Sequence, residues 1–509
     1  MNQPLDSAAR PAPSFRLSLM MFLQYAVWGA WLPVVGKYLG SAAILNEAGE
    51  RIGGGLGFTG TQIGVILGTA GAVGAITAPF IAGQVADRWF AAERCLFVLM
   101  LLGGIVKYLT AGMNSYTEWL IMSIAYSVLY MPTIAISNSL AFSHLSDPKK
   151  QFPPIRVWGT IGWIAVSWAF PMVWLQHDLH VQSMPPFLVG DEHPDVVARL
   201  ADALRFSGML SAGYAFYCLL VLPHTPPKKS VESLALTRAA GLWLENKGLL
   251  ALTLIALPIA ALHTIYFIQT SQFLPTLEGV RDSDIGPAMS IGQFSEIFVL
   301  GALGFFLKHA GFKWALIVGA LAYCARYAVF AMGAPTELVI ASQALHGVCF
   351  ACFYATAFIY VDRVSPVDVR HSAQTLFGIV ILGVGPLLSA PALDAMNTYA
   401  SGTAMVSECL KRPNLIPQQQ RDSTDPTMTL SWDSYYPGAE ADIAAYVAAN
   451  PDDLSRGWKG LKPDTQVNTL DYARFWLVAS VTGLLAAGAL ALLFRTDPEA
   501  NKGPVTESA

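Results

Sequence analysis

Two stretches of the chain set aromatic rings and hydrogen-bonding groups on one helical face. Gln24, Trp28 and Trp31 fall at i, i+4 and i+7, and Arg156, Thr160 and Trp163 repeat that spacing. Each face combines a ring with a donor, although the three tryptophans equally suit interfacial or packing positions. Glu296 is a different signal. It lies in the middle of an apolar run, where an ionised carboxylate is expensive, so it must be protonated, paired or open to water. Any of these makes it a candidate proton carrier; the plainer alternative is a structural ion pair with Lys107 or Arg326, the basic residues inside other apolar runs. His346 also lies in such a run, and its reference pKa of about 6.5 puts its titration in the physiological range. A hydrogen-bonded packing histidine fits that position equally well.

These groups are isolated on separate segments, without the spacing of a metal site or an activated nucleophile, so an enzyme is not expected. No GxxxxGK[ST] motif appears, which disfavours ATP-driven chemistry by this chain. No metal or cofactor is expected.

The elements that must hold these residues are apolar. Of 509 residues 54% are hydrophobic and 13% charged, and the mean hydropathy is +0.46. Soluble domains run to about 25% charged, so this chain has lipid as its main solvent. A net charge of −4 gives no reason to expect a nucleic-acid partner. Apolar runs near 18–39, 61–81, 95–112, 118–140, 155–176 and 206–223 form a first set of six. A second set follows near 249–273, 286–307, 314–332, 337–360, 372–393 and 472–494. Twelve spans put both termini on one side. The segments on that side hold most of the Lys and Arg, including Arg88, Arg94, Lys149, Lys150, Lys228, Lys229, Arg363 and Arg370, whereas the opposite loops hold Lys37, Arg51, Arg199, Arg205 and Arg281. This asymmetry places both termini in the cytoplasm.

The expected organisation is a cytoplasmic N-terminus at 1–17, an N-terminal six-helix bundle at 18–223, a linker at 224–248, a C-terminal six-helix bundle at 249–494 and a tail at 495–509. An extracytoplasmic insertion at 398–470 interrupts the second bundle, and its composition suits a partly ordered cap or a flexible segment. Cys349 and Cys352 form a CxxC inside the tenth span, without a second pair or a redox setting, and read as packing residues.

Between the second and third spans, Gly83-Gln84-Val85-Ala86-Asp87-Arg88 resembles the GxxxDR core of the major facilitator superfamily. That likeness implies a two-bundle, alternating-access fold, with Gly83, Asp87 and Arg88 as a conformational latch. A sharper likeness starts at Phe152-Pro153-Pro154-Ile155-Arg156-Val157-Trp158-Gly159-Thr160, which is similar to the fifth-span entry of the nucleoside:proton symporter family. Tyr130-Met131-Pro132-Thr133 and Gln293-Phe294-Ser295-Glu296 agree in order. The resemblance implies a substrate cavity lined by Arg156, Thr160, Gln293 and Glu296, with nucleoside and proton as ligands.

The chain departs from the family at two places. In the tenth span the family's Asp is Ala351; His346 is the possible titratable replacement, and Phe350 one turn later can stack a base. In the seventh span the family's Gln and Asn are missing, and Tyr266 and Gln269, on one face at i and i+3, are the substitutes. Proton coupling is therefore expected at Glu296 and His346. The expectation is a monomeric, multi-pass secondary transporter of a bacterial-type inner membrane. The alternatives are a carrier or facilitator for another polar solute such as a sugar, and a transporter-like sensor.

Overall fold

A computed structural model of the chain describes residues 13–46, 51–81, 90–183, 187–226, 236–366, 369–405, 408, 412, 414–417 and 466–497. The proposed latch of Gly83, Asp87 and Arg88 lies outside the described residues, as do most of the insertion and both chain ends. Among the described residues, nine helices are long and apolar enough to cross a membrane by length and composition.

The difference from twelve expected spans has local causes. The eighth and ninth expected spans run on as one helical stretch, Ile285–Met332, broken at Gly311, whose φ of 76° and ψ of 173° leave the helical region. Only glycine takes such a conformation readily, so the chain turns there without a loop. The third and sixth expected spans are the 19-residue helices Ala92–Thr110 and Asp202–Leu220. Glu93, Arg94 and Lys107 make the first of these the more charged helix.

We label the helices used below α1 (Pro13–Gly29), α2 (Leu32–Gly40), α3 (Gly60–Phe80), α4 (Ala92–Thr110), α5 (Tyr116–Ser143) and α6 (Pro148–Phe170). They continue as α7 (Asp202–Leu220), α8 (Lys247–Phe273), α9 (Ile285–Met332) and α10 (Tyr472–Leu493). The first expected span is interrupted at Ala30 and Trp31, between α1 and α2. Pro33 has no N–H to give the carbonyl of Gly29, four residues earlier. That carbonyl accepts from the Ser167 hydroxyl at 3.3 Å instead, and the carbonyl of Val27 accepts from the Ser207 hydroxyl at 2.6 Å. The tenth expected span changes character as well: Cys349–Ala355, which contains Phe350 and Ala351, is π-helical, and Cys349 and Cys352 are buried free thiols.

The chain divides into two compact units. One comprises 1–31, 73–167 and 203–233; the other comprises 32–72, 168–202 and 234–509. Segments 32–72 and 168–202, expected in the N-terminal bundle, thus group with the second unit.

Within the second unit, β1 (Gln176–Val181) and β2 (Leu188–Glu192) form an antiparallel hairpin. Arg281 donates to the Gly190 carbonyl at 2.7 Å, and the Ser283 N–H donates to Glu192 Oε1 at 2.6 Å, so the hairpin is fastened to the 281–284 loop. Lys37 pairs with Asp282 at 3.1 Å in the same unit. The base of the insertion is a three-stranded antiparallel sheet, with β5 (Gln466–Asp471) in the centre between β3 (Ser401–Met405) and β4 (Leu415–Pro417). Pairing Ser401 with Leu470 ties the two ends of the insertion together, and the Asp471 carboxylate then caps α10 by accepting from the backbone of Ala473 and Arg474.

Candidate functional site

In the first unit the ring-and-donor residues of α1 and α6 meet those of α5. Gln24 is fully buried: its Nε2 donates to Thr133 Oγ1 at 2.8 Å, its Oε1 accepts from the Ser137 hydroxyl at 3.1 Å, and its carbonyl accepts from the Tyr130 hydroxyl at 2.6 Å. Both ends of the amide are thus occupied, and Gln24 works as the hub joining α1 to α5.

One turn on, Trp28 is half-buried and packs edge-on to Tyr130 at 5.9 Å and to Trp163 at 5.6 Å. Gly29 lies against the backbone of Trp163, which is why α1 and α6 come close enough for these rings to meet. The guanidinium of Arg156 sits 4.0 Å from the centroid of Tyr25, a ring that spacing arguments alone did not select. Tyr25, Trp28, Arg156 and Thr160 are each half-buried, so this unit presents a face that combines ring surface, a fixed positive charge and a hydroxyl.

Trp31 does not share that face. It is buried, and Lys107 of α4 sets its ammonium 3.5 Å from the Trp31 ring and 3.7 Å from Tyr126. Among the described residues no carboxylate pairs with Lys107, so two ring faces take the place of a counter-ion.

The second unit gathers its polar residues around Arg326. This residue is fully buried in α9, and the face of Tyr266 lies 3.7 Å from its guanidinium carbon. Its Nη1 contacts His346 Nδ1 at 3.0 Å, and its Nη2 donates to Gln343 Oε1 at 3.1 Å. The Tyr266 hydroxyl donates to that same oxygen at 3.0 Å. Arg326 Nε and Gln343 Nε2 are buried donors with no hydrogen-bond partner among the described residues. The His346 ring is stacked between Tyr266 at 5.1 Å and His263 at 5.3 Å, and His263 Nδ1 lies 3.0 Å from the Tyr323 hydroxyl.

Two close helix approaches bring this cluster to the acid. Gly292 of α9 lies against the His346 side chain, and Gly347 lies against the backbone of Ser295 and Glu296; a methyl group at either position would clash. His346 therefore sits one helical turn from Glu296, which is half-buried. Gln293, on the same face, is buried, and its Oε1 has no hydrogen-bond partner among the described residues. Phe350 is half-buried and stacks on Tyr354 at 6.1 Å.

Tyr266 and Gln269, chosen as substitutes in the seventh span, are both buried. Tyr266 supports Arg326 and Gln343, and Gln269 Nε2 donates to the Tyr472 hydroxyl at 3.0 Å. Beside them on that helix, His263, Thr264 and Phe267 are half-buried. Sequence reasoning weighed Arg326 only as an ion-pair partner and missed Gln343; the available signal was a Gln at i−3 from His346 inside an apolar run. Among the described residues, ligand atoms with metal spacing occur at His177, Asp178 and Asp191, on the hairpin rather than in either cluster.

Long apolar helices carrying buried polar clusters are the architecture of a polytopic membrane protein. Solved structures agree in fold: the nucleoside transporter NupG superposes with a TM-score of 0.68 at 21% identity, covering 95% of this chain and all of that one. A D-xylose–proton symporter superposes with a TM-score of 0.59 at 12% identity, covering 95% and 99% of the two chains. The fold is that of the major facilitator superfamily.

Residues 12–406 match the family described as Nucleoside H+ symporter, and the chain belongs to that family. YegT of Escherichia coli (strain K12) is 33% identical over 384 residues, 73% of this chain and 82% of its own. The xanthosine permease of that organism is 29% identical over 406 residues, 75% and 88% of the two chains. Its nucleoside permease NupG is 27% identical over 394 residues, 73% and 85%. The family match ends at the base of the insertion.

Proposed function

We propose that this protein takes up nucleosides by proton-coupled alternating access, with Glu296 as the titrating group. The observation that carries the reading is half-buried Glu296, one turn from a buried Gln293 whose acceptor oxygen has no hydrogen-bond partner among the described residues. An ionised carboxyl in the middle of a membrane-spanning helix is costly, and proton uptake removes that charge. Binding of proton and substrate then support one another as linked ligands.

Family membership and the names of the relatives support nucleosides as the substrate class. An uncharged nucleoside offers a base to stack and edge atoms and ribose hydroxyls to bond. Trp28, Tyr25, Arg156 and Thr160 offer such partners within the first unit, and His346, Phe350, Gln293 and Glu296 offer them within the second, each set by itself. The distribution of Lys and Arg supports twelve crossings with both termini in the cytoplasm, and the bacterial relatives support an inner membrane.

The test is uptake of labelled uridine and adenosine into vesicles of purified protein, with and without an inward proton gradient. Accumulation that a protonophore abolishes is the expected result. Equilibration without accumulation would instead mean a facilitator, and folded protein without nucleoside uptake would mean a different polar solute.

A further inference from the structure

We propose that Arg326 is a positioning residue that holds His346 as a neutral hydrogen-bond donor, so that His346 selects the substrate while the proton is carried at Glu296. The inference rests on the nucleoside:proton reading above and assigns one residue of that site a different duty.

The argument is one of lone pairs. A guanidinium has five N–H donors and no acceptor, so a contact of 3.0 Å between Arg326 Nη1 and His346 Nδ1 is a hydrogen bond only if Nδ1 accepts. An imidazolium has no lone pair to accept with. His346 is therefore neutral in this arrangement, with its one ring proton on Nε2. That nitrogen is left as a donor for an acceptor atom of the substrate, the chemistry of a base carbonyl or an unprotonated ring nitrogen.

The arrangement is also rigid. Gln343 Oε1 accepts from both Arg326 Nη2 and the Tyr266 hydroxyl, and the Tyr266 ring underlies the guanidinium, so Arg326 cannot turn away without losing Gln343, Tyr266 and His346 together. The imidazole stacks on the rings of Tyr266 and of His263, and Gly292 leaves room for its side chain. The titratable and charged groups facing His346 are Arg326, His263 and Tyr266, with Glu296 one turn beyond Gly292. Among the described residues Arg326 has no carboxylate partner. A histidine that gained a proton here would lose the lone pair that accepts from Arg326 and place a second cation against a buried one.

The experiment compares wild type, His346→Gln, Arg326→Gln, Arg326→Lys and the Arg326→Gln/His346→Gln pair. It measures uridine accumulation and KM in proteoliposomes across a range of external pH, with thermal unfolding as the check on folding. A glutamine at 346 can still accept from Arg326 and donate onward. His346→Gln is thus expected to keep proton-driven accumulation while KM rises by about tenfold, the cost of one misplaced hydrogen bond. If that variant equilibrates uridine but no longer accumulates it, His346 carries the proton and the proposal fails.

Arg326→Gln removes the cation that occupies the Nδ1 lone pair, so its KM should gain a pH-dependent inflection that wild type lacks. The inflection should vanish in the double variant and in Arg326→Lys. A folded Arg326→Gln protein whose pH profile superimposes on that of wild type overturns the proposal. If Arg326→Gln does not fold, His346→Gln decides alone. Failure of the wild type itself to accumulate uridine overturns the symport reading, and this inference with it.

Discussion

The ammonium of Lys107 lies 3.5 Å from the ring centroid of Trp31, with Tyr126 at 3.7 Å on another side, in the interior of the first unit. Its partners are neutral rings, so removing the charge strands nothing, whereas removing a ring strands the charge. Lys107→Met, close in volume and apolar, is expected to unfold at the same temperature as wild type or above it. Trp31→Ala is expected to lose about 3 to 5 kcal/mol, from the cavity together with the lost cation–π partner. Thermal unfolding of the two purified variants tests the asymmetry. A Lys107→Met protein much less stable than Trp31→Ala would mean that the lysine has a counter-ion.

Gln24 and Arg156 should separate in the opposite way. Gln24→Ala removes two side-chain hydrogen bonds from an apolar interior and leaves Thr133 and Ser137 to find other partners, for about 1 to 3 kcal/mol. Its main effect is expected in the melting temperature. Arg156→Lys keeps the charge but loses the planar group lying over Tyr25, so KM should rise by about tenfold with little change in stability. Measuring KM and melting temperature on both variants distinguishes the hub from the half-buried face.

What the sequence disclosed and what it hid divide along physical lines. Apolar length is a local property, and the helical segments fall where that length placed them. Helix breaks were less visible, because Pro33 and Gly311 end or turn helices only where neighbours satisfy the freed groups, as Ser167 does for the carbonyl of Gly29. Site residues were legible where rings and donors share a face, as at Trp28, Arg156 and Thr160. Spacing cannot tell whether a side chain is already engaged inside the fold, as Gln24, Trp31, Tyr266 and Gln269 are. Each shows the right residue type at the right interval, but each is bound to a residue far away in the chain. Arg326 is the converse case. A buried arginine reads as half of an ion pair, and only the fold shows a histidine, a glutamine and a tyrosine around it.

Glu296→Gln carries the sharpest functional prediction. The amide has the shape of the protonated acid and cannot release a proton. The variant is expected to exchange labelled for unlabelled uridine at every pH tested, while accumulation driven by a proton gradient is abolished. Counterflow and gradient-driven uptake, measured on one preparation of vesicles, give the two readouts. Uphill, pH-dependent uptake by Glu296→Gln would remove Glu296 from the coupling mechanism.

The hairpin latch should respond to pH through Glu192. Burial raises the pKa of this carboxyl above its usual 4.5, outweighing the Ser283 N–H and the Arg281 charge that pull it down. The docked hairpin thus binds the proton more tightly than an undocked one would. Docking is consequently favoured most below the ordinary carboxylate range, and that contribution is lost as pH rises through the raised value. Hydrogen exchange at the Ser283 amide, corrected for the intrinsic rate, should be more protected in acid than at neutral pH. In Glu192→Gln, which keeps the acceptor oxygen but cannot titrate, the protection should no longer depend on pH. Equal pH dependence in the two proteins would assign the effect to another group and overturn the role of Glu192.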